Sequence, residues 1–198
     1  FDKNEEDDIH ICFASELKVL YNLSFNKKNI QHFIPGSYMI IDTMNYKIEQ
    51  NLKYTSLPCS NKIYKLNRDS ISSITSEIYN NISNAVYKRV IGTTERPIAC
   101  LLSGGLDSSL IACLVNKFLK YNNTTNILNT FSIGLEGSED LKYAKIVANH
   151  LKSNHHEIIV SEDDFFNAIP EVIKNIESYD TTTVRASVGN YLIGKYIK

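Results

Sequence analysis

This chain has no surplus of positive charge, little cysteine and no long apolar run. Its net charge of −1 excludes a generally basic, nucleic-acid-binding surface and leaves room only for a local basic pocket. The four cysteines, Cys12, Cys59, Cys100 and Cys113, show no CxxC spacing, so neither a zinc site nor a redox pair is indicated. Cys100 and Cys113 lie in apolar segments and are expected to be small buried hydrophobes in a reducing, cytoplasmic setting. No apolar stretch approaches the roughly 18 residues of a membrane span, and no signal-peptide pattern opens the chain. Internal repeats are absent, as are low-complexity tracts beyond Asn-rich loops such as "YNNTTN". The 198 residues, 43% hydrophobic and 22% charged, suit a globular protein of one large domain or two small ones.

What is there divides in two. Residues 9–15, "IHICFAS", read as a strand; a Pro-Gly turn at Pro35 and Gly36 precedes the strand-like "SYMIID". "TMNY" then turns the chain into "KIEQNLKY", giving a mostly antiparallel region. The polar, aperiodic "TSLPCSNK" places a boundary near residues 56–66, with domains over 1–62 and 63–198. Beyond it, Ile71, Ile74, Ile78, Ile82, Val86 and Val90 mark one helical face, with Asp69 or Ser70 as N-cap. Strands at 97–102, 127–134 and 155–160 alternate with helices at 108–121, 140–151, 161–180 and 184–198. Ser161 is the expected cap of the third of these helices, and Pro170 is expected to kink it. This alternation predicts an α/β fold, a parallel sheet with helices on both faces.

The stretch "LLSGGLDSS" (101–109) stops a buried strand on small residues and starts a helix. Such a turn is an anion site, because first-turn N–H groups are unpaired and glycine permits close approach. No lysine lies between Lys88 and Lys117, so the turn is not a GxxxxGK[ST] loop, and it is not GxGxxG either. Ser103, Ser108 and the amides of Gly104 and Gly105 can donate to phosphate oxygens. Asp107 would repel bare phosphate, so a carboxylate here suits Mg²⁺ bridging to a pyrophosphate. The alternative is a glycine-rich turn in which Asp107 only caps the helix.

"LLSGGLDSS" resembles the pyrophosphate loop of the ATP-pyrophosphatase superfamily. "FASELKVL" (13–20), "FSIGLEGSEDLKYAKIVANHL" (131–151), "HHEI" (155–158) and "ESYDTTTVRASVGNYLIGKYIK" (177–198) are similar to the glutamine-hydrolysing asparagine synthetase family. The resemblance implies an adenine nucleotide alpha hydrolase-like domain preceded by the end of an N-terminal-nucleophile amidotransferase domain. It implies a ligase that adenylates aspartate with ATP and Mg²⁺, then uses ammonia from glutamine to form asparagine. Leu101 and Ile133 match residues that contact the nucleotide. Ser103, Gly104, Gly105, Asp107 and Ser108 match the pyrophosphate loop, with Asp107 at the metal. Thr182, Thr183 and Arg185 match a "TT-x-R" segment associated with aspartate and the transition state. Read without the resemblance, the same residues fit a helix start capped by its threonines, with Arg185 solvated.

His155 and His156 are adjacent in a strand and point to opposite faces, one packed and one solvated, with no ligand role. Glu136, Glu139 and Asp140 read as a solvated loop and helix start. Residue 1 is Phe, without an initiator Met, and Cys12 does not match the family's N-terminal cysteine nucleophile. The expectation is a central piece of a longer enzyme, inactive alone, with oligomerisation left open and no nucleic acid or membrane partner. The competing readings are a β-lactam synthetase-like adenylating enzyme and a non-catalytic nucleotide-binding scaffold.

Overall fold

The computed structural model describes residues 2–3, 9–23, 27–55, 67–93, 96–121 and 127–198. They belong to two units, 1–64 and 65–198. The segment 56–66, where the boundary was expected, lies outside the described residues, as does Cys59.

In the first unit, β1 (Asp2–Lys3) pairs antiparallel with β2 (Ile9–His10). The strand expected over 9–15 is confined to those two residues; α1 (Leu17–Leu23) follows, and buries none of its residues. A short apolar run does not by itself distinguish strand from coil, and here the pairing ends at His10. A 3₁₀ turn spans Lys27–Asn29. The expected hairpin is present: β3 (Ser37–Asp42) pairs antiparallel with β4 (Lys47–Lys53). Gly36 enters it at φ 73°, a left-handed conformation that glycine adopts without strain. Asp42 Oδ1 accepts the Met44 N–H at 2.8 Å and fixes the turn.

The second unit opens on α2 (Arg68–Ile91), whose N-cap is Asn67 and not Asp69 or Ser70. Asn67 accepts the Ser70 N–H at 2.7 Å while Ser70 Oγ accepts the Asn67 N–H at 2.8 Å, so Ser70 supplies the return half of a capping box. Then follow β5 (Ala99–Leu101), α3 (Leu106–Tyr121), β6 (Asn129–Gly134), α4 (Glu139–Leu151), β7 (Asn154–Ile159), α5 (Glu162–Ile176) and α6 (Thr181–Ile197). The strands form a parallel sheet in the order β5-β6-β7, with helices flanking it. Helix α3 starts two residues earlier than expected, α5 ends at Ile176 well before Asp180, and α6 starts at Thr181. Ser161 caps α5 by accepting the Asp164 N–H at 3.2 Å, and the helix runs through Pro170 without a break.

Register fixes what each sheet face carries. Cys100, Thr130 and His155 share one row, and Leu102 abuts the same core as Cys100. That core joins Val86 and Val90 of α2, Ala112, Val115 and Leu119 of α3, and Ala144, Ala148 and Leu151 of α4. Burying each of its valines and leucines stabilises by about 1.5–3 kcal/mol before chain entropy is subtracted, and the alanines let the helices approach. Cys113, expected to be buried, is exposed; it falls off the 112-115-116-119 stripe that α3 turns inward. On the other face Leu101, Phe131 and His156 form a row, with Leu101 48% exposed. A second cluster, Ala168 and Val172 of α5 with Val184 and Val188 of α6, holds the last two helices together.

Candidate nucleotide site

Parallel strands bring their carboxyl ends to one edge, and open α/β sheets bind ligands there. β5 ends at Leu101, in register with Phe131, so Ile133 lies two residues further along β6 at that same edge. Leu102 is buried and donates its N–H to the Phe131 carbonyl at 2.7 Å, anchoring the chain as it leaves the sheet.

Residues 103–108 then form one closed turn. The Ser103 and Ser108 hydroxyls lie 3.0 Å apart. The Ser103 N–H donates to Ser108 Oγ at 3.3 Å, and Ser108 Oγ donates to the Gly105 carbonyl at 3.2 Å. The Gly105 N–H reaches Ser103 Oγ at 3.4 Å. Five of the residues singled out in the sequence, Ser103, Gly104, Gly105, Asp107 and Ser108, are thus brought into one turn. Gly104 adopts φ 79°, and a Cβ there would lie 2.5 Å from the Ala144 nitrogen, so no other residue fits without displacing backbone. The first-turn N–H groups of α3, from Leu106 to Ser108, have no carbonyl a turn earlier within the helix. Together they present hydroxyls and unpaired N–H groups at the positive end of the helix dipole, a combination suited to an anion.

Asp107 is exposed on the first turn of α3 and forms no ion pair among the described residues. No group of three or more His, Cys, Asp or Glu among the described residues is placed to hold a metal ion. A lone, available carboxylate beside a turn rich in hydroxyl and N–H donors has the chemistry that Mg²⁺ uses with phosphate, one or two carboxylates completed by phosphate oxygens and water, and not that of an all-protein metal cage.

Thr182, Thr183 and Arg185 stand at the start of α6, but the threonines are not its cap. Asp180 is: it accepts the Thr183 N–H and Thr183 Oγ1, each at 2.8 Å. Those bonds hold the Asp180 carboxyl below the usual carboxylate range. Thr182, Arg185 and Gly189 follow at i, i+3 and i+7, a single helical face. A Cβ on Gly189 would lie 3.8 Å from Ile133 Cγ2, so this face meets the carboxyl end of β6. Arg185 is exposed and has no ion-pair partner among the described residues.

The histidines differ from expectation in one respect. His155 is packed: its Nδ1 lies 2.9 Å from Thr130 Oγ1 and its Nε2 3.2 Å from Ser132 Oγ. His156 is half-buried, not solvated, because its ring stacks on Phe131 at 4.6 Å. Glu136, Glu139 and Asp140 are exposed, as the sequence indicated. Sequence reasoning missed Gly134, which receives α4 at the end of β6; a glycine closing a strand just before a helix cap was the available signal.

No helix among the described residues is long and apolar enough to cross a membrane. The model of the family "Asparagine synthase" matches residues 77–198. The chain is 38% identical over 205 residues to the glutamine-hydrolyzing asparagine synthetase of Gallus gallus, covering 97% of this chain and 36% of that protein. The enzymes of the same name from Bos taurus and Homo sapiens are also 38% identical, over 205 and 207 residues, with the same coverage. The chain therefore spans about a third of the length of these relatives. With the family's model matching from within α2 to the last residue, through the closed turn and the start of α6, the chain belongs to the asparagine synthase family.

Proposed function

We propose that this chain is the nucleotide-binding part of an ATP-dependent ligase that makes asparagine from aspartate and glutamine-derived ammonia. Residues 1–62 are the end of the amidotransferase domain and residues 63–198 the first part of the synthetase domain, working in the cytoplasm. The observation that carries the reading is the closed turn at 103–108, whose hydroxyls and helix-start N–H groups stand beside the exposed carboxylate of Asp107.

In this reading Leu101 and Ile133 flank the adenosine end of ATP at the carboxyl edge of the sheet. Ser103, Gly104, Gly105 and Ser108 hold the β- and γ-phosphates through hydroxyl and backbone donors, exchanging the Ser103–Ser108 contact for contacts to phosphate. Asp107 holds Mg²⁺, which when bound neutralises charge between the phosphates. Aspartate's side-chain carboxylate attacks the α-phosphorus, the bond to the β-phosphate breaks, and pyrophosphate stays in the turn as the leaving group. Arg185, aided by Thr182, and by Thr183 once its hydroxyl exchanges Asp180 for the substrate, stabilises the charge that builds on the α-phosphate oxygens, a role suited to a fixed guanidinium fork. Ammonia then attacks the acyl carbon and AMP departs.

The test is product identification on the full-length protein given ATP, Mg²⁺, aspartate and ammonia. Equimolar asparagine, AMP and pyrophosphate are expected. A cyclised product from another substrate would indicate a β-lactam synthetase-like enzyme. Nucleotide binding without turnover would indicate a scaffold.

A further inference from the structure

Two glycines seat the first half of α4. Gly134 closes β6 immediately after Ile133, and Gly104 lies in the turn immediately after Ser103. A Cβ on Gly134 would lie 2.5 Å from Ser138 Oγ and 3.1 Å from Leu141 Cγ. A Cβ on Gly104 would lie 2.5 Å from the Ala144 nitrogen and 2.6 Å from the Tyr143 carbonyl carbon. Residues 138–144, roughly 9 Å of chain along the helix axis, therefore touch the end of β6 at one end and the turn at the other. Ala144 is wholly buried, so the helix cannot tilt away from the turn without opening the core. Ser138 has the extended backbone of an N-cap yet makes no side-chain cap hydrogen bond. Its Oγ is buried without a hydrogen-bond partner among the described residues, set against Gly134 in place of the first-turn N–H groups.

We propose that α4 is a strut linking the adenosine end of the nucleotide site to its pyrophosphate end, with Gly134 as a positioning residue. The inference rests on the nucleotide reading given above. Gly134 faces α4, whereas Ile133 points to the opposite sheet face toward Gly189. A methyl group added at Gly134 meets Ser138 Oγ, a side-chain end that can turn aside only by leaving its buried place, and the packed Leu141, which must give by a few tenths of an ångström, so it shifts α4 without facing the nucleotide. Because helix and core are close-packed, the displacement passes to Gly104, which has no slack on its α4 side.

The experiment measures ATP and AMP affinities of the full-length protein with Mg²⁺, by calorimetry, for wild type, Gly134→Ala and Gly134→Ala/Ser138→Ala. AMP lacks the phosphates that the turn holds, so the ratio of the two affinities isolates the turn. Gly134→Ala should weaken ATP by about tenfold and AMP far less. Removing Ser138 Oγ removes the closest clash, so the double variant should recover most of the ATP affinity. General destabilisation would weaken both nucleotides alike and show no such rescue. Should Gly134→Ala fail to fold, Leu141→Ala, which unseats the same contact, is read on the same ratio. A wild-type ratio in the folded variant overturns the strut while leaving the nucleotide reading in place. A wild-type protein that binds neither nucleotide overturns both.

Discussion

At the scale of single residues, the site assigns opposite demands to two charged side chains. Asp107 sits where the α3 dipole welcomes anions, and it would compete with phosphate for that position unless a cation lay between them. Asp107→Asn in the full-length protein should therefore lower ATP-dependent synthesis by roughly two to three orders of magnitude, while glutamine hydrolysis is largely retained. Equal loss of both activities would assign Asp107 to folding. Arg185 is exposed and unpaired by any acid among the described residues, so its guanidinium is open to a substrate as well as to water. Arg185→Ala should slow aspartate-dependent pyrophosphate release by about two to three orders of magnitude with an unchanged circular dichroism spectrum. Arg185→Lys should recover part of it, since a point charge lacks the planar fork. Near wild-type rates in both variants would make Arg185 a surface residue.

At the scale of elements, β6 and β7 are joined by more than their ladder. Ser153 Oγ donates to the Ala148 carbonyl at 3.3 Å, so it accepts from Thr130 Oγ1, 2.8 Å away. Thr130 Oγ1 then accepts from His155 Nδ1, and Nε2 is left to accept from Ser132. Protonating Nε2 would turn that last bond around inside a buried site. Burial holds the His155 imidazole below its usual pKa, with His156 and Lys145 acting the same way against the opposing effects of Glu157 and the Thr130 backbone. The unfolded chain therefore binds the proton more readily, and stability falls as pH drops below the ordinary histidine value. The urea midpoint should decline between about pH 7.5 and 5.5, and less steeply in His155→Gln. Equal slopes in the two proteins would remove His155 as a source of the pH dependence. None of this was legible from "HHEI", because a strand's alternation tells that the two histidines face opposite ways and not what either meets there. Helix periodicity, by contrast, was read directly: the 71–90 and 141–151 stripes are helical as spaced. The start of α2 was misplaced because capping depends on backbone angles at Asn67, and Asp69 and Ser70 are equally good cap residues by type.

At the scale of the molecule, the strand–helix alternation after residue 96 was enough to foresee the parallel sheet, since each strand follows its neighbour in sequence and in space. The turn at 103–108 was legible for the same reason that it is specific: few sequences place Ser-Gly-Gly and a carboxylate between a buried strand and a helix. The seating of α4 on Gly134 and Gly104 was not, because close approach between distant segments leaves only a glycine behind as its trace. The central claim is that this turn retains pyrophosphate while aspartate is joined to the α-phosphate of ATP. It is tested most directly by giving the full-length protein aspartate labelled with heavy oxygen in its side-chain carboxylate, then weighing the nucleotide product by mass spectrometry. AMP carrying one labelled oxygen is expected, because the attacking carboxylate oxygen stays with phosphorus when ammonia takes the acyl group. Unlabelled AMP, or ADP with the label in inorganic phosphate, would contradict it.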